Sequence, residues 1–201
     1  MLTKQLIKRK QLGLFRSLQR KENLIDFASN DYLGLAKSPL LKQAVLSEWK
    51  LLTSFGSTGS RLLTGNHSYI HDLEESLATF HGFEAGLIFN CGYMANLGLA
   101  SSIASEHDIF IYDTHIHASL HEGMRMSKAK AFPFRHNDIQ HLERRLKKLR
   151  RKRNLYICID SIYSTDGSVA PLVDIFHLSQ TYGAQLIVDE AHAIGVLGKE
   201  G

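Results

Sequence analysis

The sequence predicts an α/β fold in which helices cover both faces of a mostly parallel sheet. Five short apolar runs have the continuous hydrophobicity of strands buried on both faces, at 85–90, 108–113, 130–134, 155–160 and 184–190. Helical segments separate these runs along the chain, and this alternation is typical of parallel sheets. Polar residues follow several of the runs. Because ligands bind beyond the carboxyl ends of such strands, we expect a site there.

Periodicity and end signals predict the remaining elements. The basic segment 1–23 is predicted to form an amphipathic helix, because it has too few hydroxyl side chains, one Ser and one Thr, for a mitochondrial presequence. A short strand and a turn are predicted within 24–41, and small residues predict a loop over 55–68. Gly82 is predicted to end a helix that begins near Tyr69. Further helices are predicted at 40–52, 94–104, 119–127, 138–152 and 171–183.

The composition indicates a globular protein of the cytoplasm. The 201 residues are enough for one domain or a large part of one, and 44% hydrophobic with 22% charged residues is the usual balance. No apolar run is long enough to span a membrane. The two cysteines, Cys91 and Cys158, have no metal-type spacing, which fits a reducing compartment.

The net positive charge comes from one strip, Arg144–Arg153. It holds eight basic residues, without which the net charge of +4 becomes −4. Leu142, Leu146 and Leu149 have helical spacing through it, so we expect an amphipathic helix docked by its leucines. A solvated helix face is one interpretation, and contact with a phosphate-rich partner such as coenzyme A or nucleic acid is the other. Proteins that bind single-stranded nucleic acid place aromatic side chains among the basic ones, and this strip contains no aromatic residue.

Two strand ends offer groups suited to a phosphorylated aromatic ligand. Cys91, Gly92 and Tyr93 follow the first predicted strand, where an ordinary turn or a phosphate at the helix N-terminus are both open interpretations. Three histidines follow the second, His115, His117 and His121. Their spacing matches no zinc pattern, so we predict no metal site. Stacking of one imidazole on an aromatic cofactor is the better use.

Two further strand ends carry Ser164 and Asp189. Ser164 offers a hydroxyl near the rim, beside a plain turn at Asp166 and Gly167. Asp189 ends an apolar run, so its charge requires a partner. The sequence "DEAH" is also the acidic box of some helicases, but the phosphate loop that these need upstream is not present in the sequence. A cationic ring nitrogen, as in pyridoxal 5'-phosphate (PLP), is the alternative partner.

Taken together, several stretches resemble the α-oxoamine synthases, which are PLP-dependent enzymes of fold type I. The matching stretches are "DFASNDYLGL" (26–35), "GSTGSRLLTGNHSYIHDLE" (56–74), "FNCGYMANLG" (89–98), "DTHIHAS" (113–119), "DSIYSTDGSVAPL" (160–172) and "VDEAHAIGVLGKEG" (188–201). They occur in the family's order and span nearly the whole chain from Asp26 onward. The loop of the second stretch favours the alanine-using branch of biotin biosynthesis over the glycine-using ligases and the sphingolipid enzymes.

The resemblance implies a role for each matching residue. It implies that Asp189 binds the pyridine nitrogen, that His192 contacts the 3-oxygen side, and that His117 stacks on the ring. Cys91, Gly92 and Tyr93 are implied to hold the phosphate, and Ser164 to lie close to the ring. Asn30 is implied to line the active site. Ser60 belongs to the Ser57–Arg61 loop, which is implied to line the active site across a dimer interface. Arg16 is implied to meet the acyl substrate.

The resemblance also implies the chemistry and the organisation. The family condenses an amino acid, here L-alanine, with an acyl thioester, here pimeloyl-CoA or a pimeloyl-carrier protein, and releases carbon dioxide. Residues 1–45 would belong to the small domain and 46–201 to the N-terminal part of the large PLP-binding domain, in a homodimer. The family's Schiff-base lysine lies downstream of "DEAH", and Lys199 does not match it. The chain by itself is therefore expected to be inactive. A non-catalytic PLP- or partner-binding module is the alternative of another class.

Overall fold

The computed structural model describes residues 2–18, 24–53, 55–149 and 154–199. They form two compact units that divide between Asp31 and Tyr32. The first unit contains helix α1 (Leu2–Gln11), so the helix predicted over 1–23 is confirmed only in its first half, and residues 12–18 are not helical. After α1 the chain turns at Gly13, which has a φ of 67°, and the ammonium of Lys10 lies 4.9 Å from the centre of the Phe15 ring.

The short strand predicted within 24–41 is wrong, because no strand forms there and residues 24–31 form bends and irregular backbone. The backbone N–H of Ala28 donates to the Asp26 carboxylate at 2.9 Å, and that of Asp31 donates to the Ser29 hydroxyl at 3.0 Å. Short polar side chains that capture nearby N–H groups in this way compete with strand pairing.

The second unit is built on a four-stranded parallel sheet, which confirms the predicted fold class. The strands are β1 (Ile109–Asp113), β2 (Lys130–Phe134), β3 (Leu155–Asp160) and β4 (Gln185–Asp189). Their order is β2-β1-β3-β4, and every neighbouring pair is parallel. All six residues of β3 are buried, as expected for a central strand covered on both faces.

Helices connect and precede the strands. They are α2 (Pro39–Leu51), α3 (Ser68–His81), α4 (Gly92–Ser102), α5 (Ala118–Met126), α6 (Ile139–Leu149) and α7 (Leu172–Tyr182), with a short 3₁₀ turn at Leu35–Lys37. The predicted stop at Gly82 is confirmed: its φ is 70°, a left-handed conformation that glycine adopts without strain. None of these described helices is both long and apolar enough to cross a membrane.

The predicted strand over 85–90 is wrong. In the described structure these residues are irregular, and the Ile88 N–H donates to the carboxylate of Glu74 at 2.8 Å. The Leu87 side chain is 67% exposed. A strand needs a neighbour for its backbone groups, and among the described residues this segment pairs with none of the four strands.

Helix α6 docks by its leucines, as predicted for the basic strip. Leu142 and Leu146 are fully buried, and Leu149 is partly buried against the same core. Arg144, Lys147 and Lys148 are exposed, and Lys147 lies 2.8 Å from Glu143, whereas the half-buried Arg145 donates to the carbonyl of Pro133. Exposed basic side chains fit both interpretations of the strip, and its residues 150–153 lie outside the described residues.

Candidate active site

A cavity of about 450 Å³ lies where β3 and β4 end and α4 begins. It brings together six residues that the sequence singled out: Gly92, Tyr93, His117, Ser164, Asp189 and His192. The lining also includes Ala95, Asn96, Asp160, Val188, Glu190, Ala191 and Ile194. The parallel sheet explains this convergence, because its strands all end at the same edge.

Asp189 is held by two hydrogen-bond donors at the end of β4. The side-chain amide of Asn96 donates to Oδ2 at 2.6 Å, and the N–H of Ala191 donates to Oδ1 at 2.9 Å. These donors satisfy the carboxylate while it remains part of the cavity wall. Asn96 was not predicted as a site residue, although it lies within the matching stretch at 89–98.

His117 is fixed at the start of α5, where its own ring caps the helix. Its Nδ1 accepts from the N–H of Ser119 at 3.3 Å and lies 2.7 Å from the Ser119 hydroxyl. The ring of Tyr93 meets it edge-on, with 6.1 Å between ring centres. A capping imidazole of this kind is held in one orientation before any ligand binds.

His192 is paired with a residue that the sequence analysis did not select. The hydroxyl of Tyr32 lies 2.5 Å from His192 Nδ1, and the two rings meet edge-on at 5.9 Å. Tyr32 belongs to the matching stretch 26–35, but the resemblance implied no role for it.

The N-terminus of α4 presents backbone N–H groups to the cavity. Cys91 precedes the helix with no side-chain cap, and Gly92 is its first residue. A methyl group built on Gly92 would meet no atom within 4 Å, so there is open space beside the first turn. Uncapped N–H groups at a helix start suit an anion. Cys91 itself is exposed and is not among the lining residues.

Asp160 is a second carboxyl group in the cavity wall, and the sequence analysis missed it. It is only 3% exposed, and its Oδ1 has no hydrogen-bond partner among the described residues. Burial raises the pKa of Asp160 to about 7, the charge of Asp189 adds to this, and the N–H of His117 opposes it. Near neutral pH the cavity therefore contains a carboxyl group that holds a proton part of the time.

The three predicted substrate-binding residues, Ser60, Arg16 and Asn30, also lie outside the cavity lining. Ser60 sits in an exposed turn, where its carbonyl accepts from the N–H groups of Leu63 and Gly65. In the same loop, Arg61 binds Asn66 and the buried Glu74. Arg16 and Asn30 are exposed residues of the first unit. Their proposed substrate contacts stay predictions.

His115 belongs to a separate cluster with His136 and Asp166. His115 Nδ1 and His136 Nε2 lie 3.7 and 4.0 Å from the Asp166 carboxylate, and the two imidazoles stack at 4.0 Å. The nitrogens of His136 already bond to Asp113 and Ser168, at 2.9 and 2.8 Å. The ligand atoms of these three residues lie within 4.8 Å of one another, but a metal ion would have to displace the Ser168 contact of His136.

Comparison with known proteins identifies the family. The model of the family described as aminotransferase class I and II matches residues 22–201. The chain belongs to this family. It is 43% identical over 193 residues to 8-amino-7-oxononanoate synthase of Emericella nidulans, an alignment that covers 88% of this chain and 47% of the relative. The chain spans about half the length of the curated relatives it matches.

Solved structures agree with this assignment. Serine palmitoyltransferase of S. paucimobilis, with PLP and myriocin bound, superimposes with a TM-score of 0.84 at 27% identity, over 98% of this chain and 55% of that one. An 8-amino-7-oxononanoate synthase from Francisella tularensis has a TM-score of 0.70 at 30% identity, over 89% and 48%. These relatives confirm the α-oxoamine synthase relationship and the fold of type I PLP-dependent transferases. With the family match, they indicate PLP as the cofactor.

Proposed function

We propose that the chain is part of an 8-amino-7-oxononanoate synthase. Its reaction would condense L-alanine with a pimeloyl thioester, on coenzyme A or a carrier protein, with loss of carbon dioxide, in biotin biosynthesis. The observation that carries this proposal is the placement of Asp189, His117 and His192 around one cavity at the carboxyl ends of β3 and β4. The relative from Emericella nidulans supports this branch of the family.

The donor set of the cavity fits PLP. Asp189 would face the pyridine nitrogen, where a carboxylate favours the protonated ring. His117, held by Ser119, would offer a flat imidazole to the ring face, and His192 would contact the 3-oxygen side. The α4 N-terminus at Gly92 and Tyr93 would take the phosphate, and Ser164 would lie beside the ring. When bound, PLP supplies an electron sink for the charge that develops on the substrate's α-carbon.

Asp160 adds a second carboxyl group to the cavity lining, beside Asp189 in the register of β3 and β4. The Schiff-base lysine of the family is proposed to lie beyond residue 201. We therefore expect this chain alone to bind PLP weakly and to have little or no turnover.

Another branch of the family is the second candidate. The higher TM-score, 0.84 against 0.70, belongs to a serine palmitoyltransferase, so serine with a long acyl thioester is an alternative substrate pair. A ligase that uses glycine and a short acyl thioester is a third. A module that binds PLP or a partner without catalysis is the candidate of another class.

Product analysis of the natural protein, purified with its cofactor, separates these candidates. The protein is given L-alanine with pimeloyl-CoA, L-serine with palmitoyl-CoA, or glycine with acetyl-CoA, and each product is identified by mass spectrometry. We expect 8-amino-7-oxononanoate from the first pair. A product from only another pair would move the protein to that branch. No product from any pair, with PLP bound, would favour the non-catalytic module.

A matched variant shows whether the product arises at the described site. Asp189→Asn keeps the shape of the side chain but removes its charge, so turnover should fall by about a hundredfold or more. Light scattering on the same preparation tests the proposed homodimer. Fractionation of the source cells tests the proposed cytoplasmic location.

A further inference from the structure

One hydrogen-bonded chain joins Asp189 to His117 behind the cavity. The Nδ2 of Asn96 lies 2.6 Å from Asp189 Oδ2 and 3.0 Å from the Ser119 hydroxyl oxygen. That hydroxyl lies in turn 2.7 Å from His117 Nδ1. Three elements supply the four residues, since Asn96 is on α4, Ser119 is on α5 with His117 at its cap, and Asp189 ends β4.

The hydrogens along this chain can be assigned from chemistry. An amide nitrogen carries two hydrogens, and a carboxylate can only accept, so one hydrogen of Asn96 goes to Asp189. The other goes to the oxygen of Ser119, which leaves the hydroxyl hydrogen free to donate to His117 Nδ1. Nδ1 also accepts from the N–H of Ser119 at 3.3 Å. With Nδ1 an acceptor, a neutral His117 carries its proton on Nε2.

The opposite orientation of the Asn96 amide is unfavourable. It would place the amide oxygen 2.6 Å from the Asp189 carboxylate, so that two acceptors would face each other. Ser119 is fully buried, and water cannot easily replace it as the link. The network therefore has one consistent pattern of donors and acceptors.

Close packing of α4 on α5 holds the link at hydrogen-bonding distance. A methyl group on Gly123 of α5 would lie 2.8 Å from the Ala100 methyl carbon and 3.0 Å from the carbonyl oxygens of Asn96 and Leu97. The helices thus approach each other where only glycine fits, within one turn of Ser119. This contact places the amide of Asn96 beside the hydroxyl of Ser119.

We propose that Asn96 and Ser119 are positioning residues, which together set the orientation of Asp189 and the tautomer of His117. The inference rests on the proposed function, because it assigns Asp189 and His117 to the ring nitrogen and the ring face of PLP. Asn96 holds Oδ2 of Asp189 while the N–H of Ala191 holds Oδ1, so the carboxylate keeps one orientation in the cavity wall. Ser119 directs the proton of His117 to Nε2. The two cofactor contacts are thereby prepared as one unit.

The pH dependence of PLP affinity in Asn96→Asp tests the first half. The variant is nearly isosteric, but it puts a second carboxyl group against Asp189 and removes the donor. PLP is titrated into the cofactor-free natural protein with and without the Asn96→Asp change. At pH 8 the variant should bind PLP about tenfold or more weakly than wild type, because the two carboxylates repel each other. At pH 5.5 a shared proton restores a donor, so the difference should shrink.

Asn154→Asp is the matched control for this variant. Asn154 Nδ2 donates to Asp108 Oδ1 at 2.9 Å, the same pairing at the amino ends of β3 and β1. This variant should lower stability without changing PLP affinity or its pH dependence. Affinity of Asn96→Asp that equals wild type at both pH values would overturn the role of Asn96.

The tautomer of His117 tests the second half without any need for activity. Long-range proton–nitrogen NMR of the histidine-labelled natural protein should show a hydrogen on Nε2 and a bare Nδ1 in wild type. Ser119→Ala should give a mixture of tautomers, and Ser119→Thr should restore the single one. An unchanged tautomer in Ser119→Ala would overturn the role of Ser119. Absence of PLP binding by the wild-type protein would instead overturn the proposed function, and with it the purpose assigned to the network.

Discussion

Asp160 and Asp189 are direct partners in the register of β3 and β4, so two carboxyl groups stand side by side at the edge of the cavity. Their surroundings differ. Asp189 accepts from Asn96 and Ala191, whereas Asp160 is 3% exposed and has an unpartnered Oδ1. Burial, and after it the neighbouring charge of Asp189, raises the pKa of Asp160 to about 7. Asp160 therefore keeps its proton over more of the acidic range than an ordinary aspartate does.

Asp160→Asn should change how stability depends on pH. The pKa of Asp160 is higher in the folded protein than the ordinary 3.8. The stability that protonated Asp160 contributes is therefore fully present below pH 3.8 and is lost as the pH rises through about 7. The variant keeps a neutral side chain at every pH. Compared with wild type, the free energy of unfolding of the variant should rise by about 4 kcal/mol on going from pH 4 to pH 8.

Urea unfolding of cofactor-free protein at pH 4, 6 and 8 measures this difference. Asp174→Asn is the control, because Asp174 is exposed on α7 and its change should be nearly independent of pH. Parallel curves for wild type and Asp160→Asn would show that Asp160 is ionised at the same pH in the folded and unfolded chains.

The ion pair of Arg61 with Glu74 predicts acid sensitivity. The Arg61 side chain, followed by the N–H of Ile88, lowers the pKa of Glu74 to about 2 from 4.5. Stability from this carboxylate is present above the ordinary pKa and is lost as the pH falls from about 4.5 to about 2. Glu74→Gln should therefore be less stable than wild type at pH 6, and this difference should disappear near pH 2.

Thermal unfolding between pH 2 and pH 6 tests the role of Glu74. The neighbouring Glu75 is exposed on the same helix, so Glu75→Gln supplies the control and should leave the acid dependence unchanged. An equal acid dependence in Glu74→Gln and wild type would contradict the assignment. The pair also joins the loop at Arg61 to the segment at Ile88, so hydrogen exchange of the Ile88 amide should accelerate in the variant.

Local sequence was sufficient for the sheet but not for the contacts across it. Strands β1 and β3 are almost wholly apolar, and such runs need little context to be recognised. Asp189 was found because an acid at the end of such a run is unusual. Its donor Asn96 lies 93 positions earlier, and Tyr32 lies 160 positions before its partner His192. Tertiary contacts between distant segments create these pairs, and no spacing in the sequence predicts them.

The wrong strand over 85–90 has the same origin. Its composition resembles that of β1, but a strand also requires a neighbour, and that requirement is not local. In the described structure the Ile88 N–H is taken by Glu74 instead. Hydrophobicity alone therefore overestimated the number of strands.

Gly123→Ala should weaken the packing of α4 on α5. The added methyl would lie 2.8 Å from the Ala100 methyl carbon, which is fully buried, and 3.0 Å from two backbone oxygens of α4. Because backbone cannot move aside like a flexible side chain, we expect a loss of about 1–3 kcal/mol in the free energy of unfolding. The Asn96–Ser119 hydrogen bond should lengthen as the helices separate.

A double-mutant cycle with Ala100→Gly isolates this contact. Removal of the Ala100 methyl should recover part of the stability that Gly123→Ala loses, since the backbone oxygens still stand in the way. Urea unfolding of the four proteins measures the coupling. Strict additivity of the two changes would show that these side chains do not touch.

Tyr32→Phe should release His192 without altering the shape of its surroundings. The lost hydroxyl lies 2.5 Å from His192 Nδ1, whereas the edge-on contact of the two rings at 5.9 Å remains. Loss of one hydrogen bond predicts a decrease of about 1 kcal/mol in stability.

If His192 contacts the 3-oxygen side of PLP as proposed, the PLP affinity of Tyr32→Phe should fall severalfold, because the imidazole must then be oriented on binding. Tyr69→Phe is the control, since Tyr69 lies on α3 and is not among the residues that line the cavity. PLP titration and urea unfolding of both variants check the prediction, and equal PLP affinities would mean that Tyr32 supports the fold without orienting His192 for the cofactor.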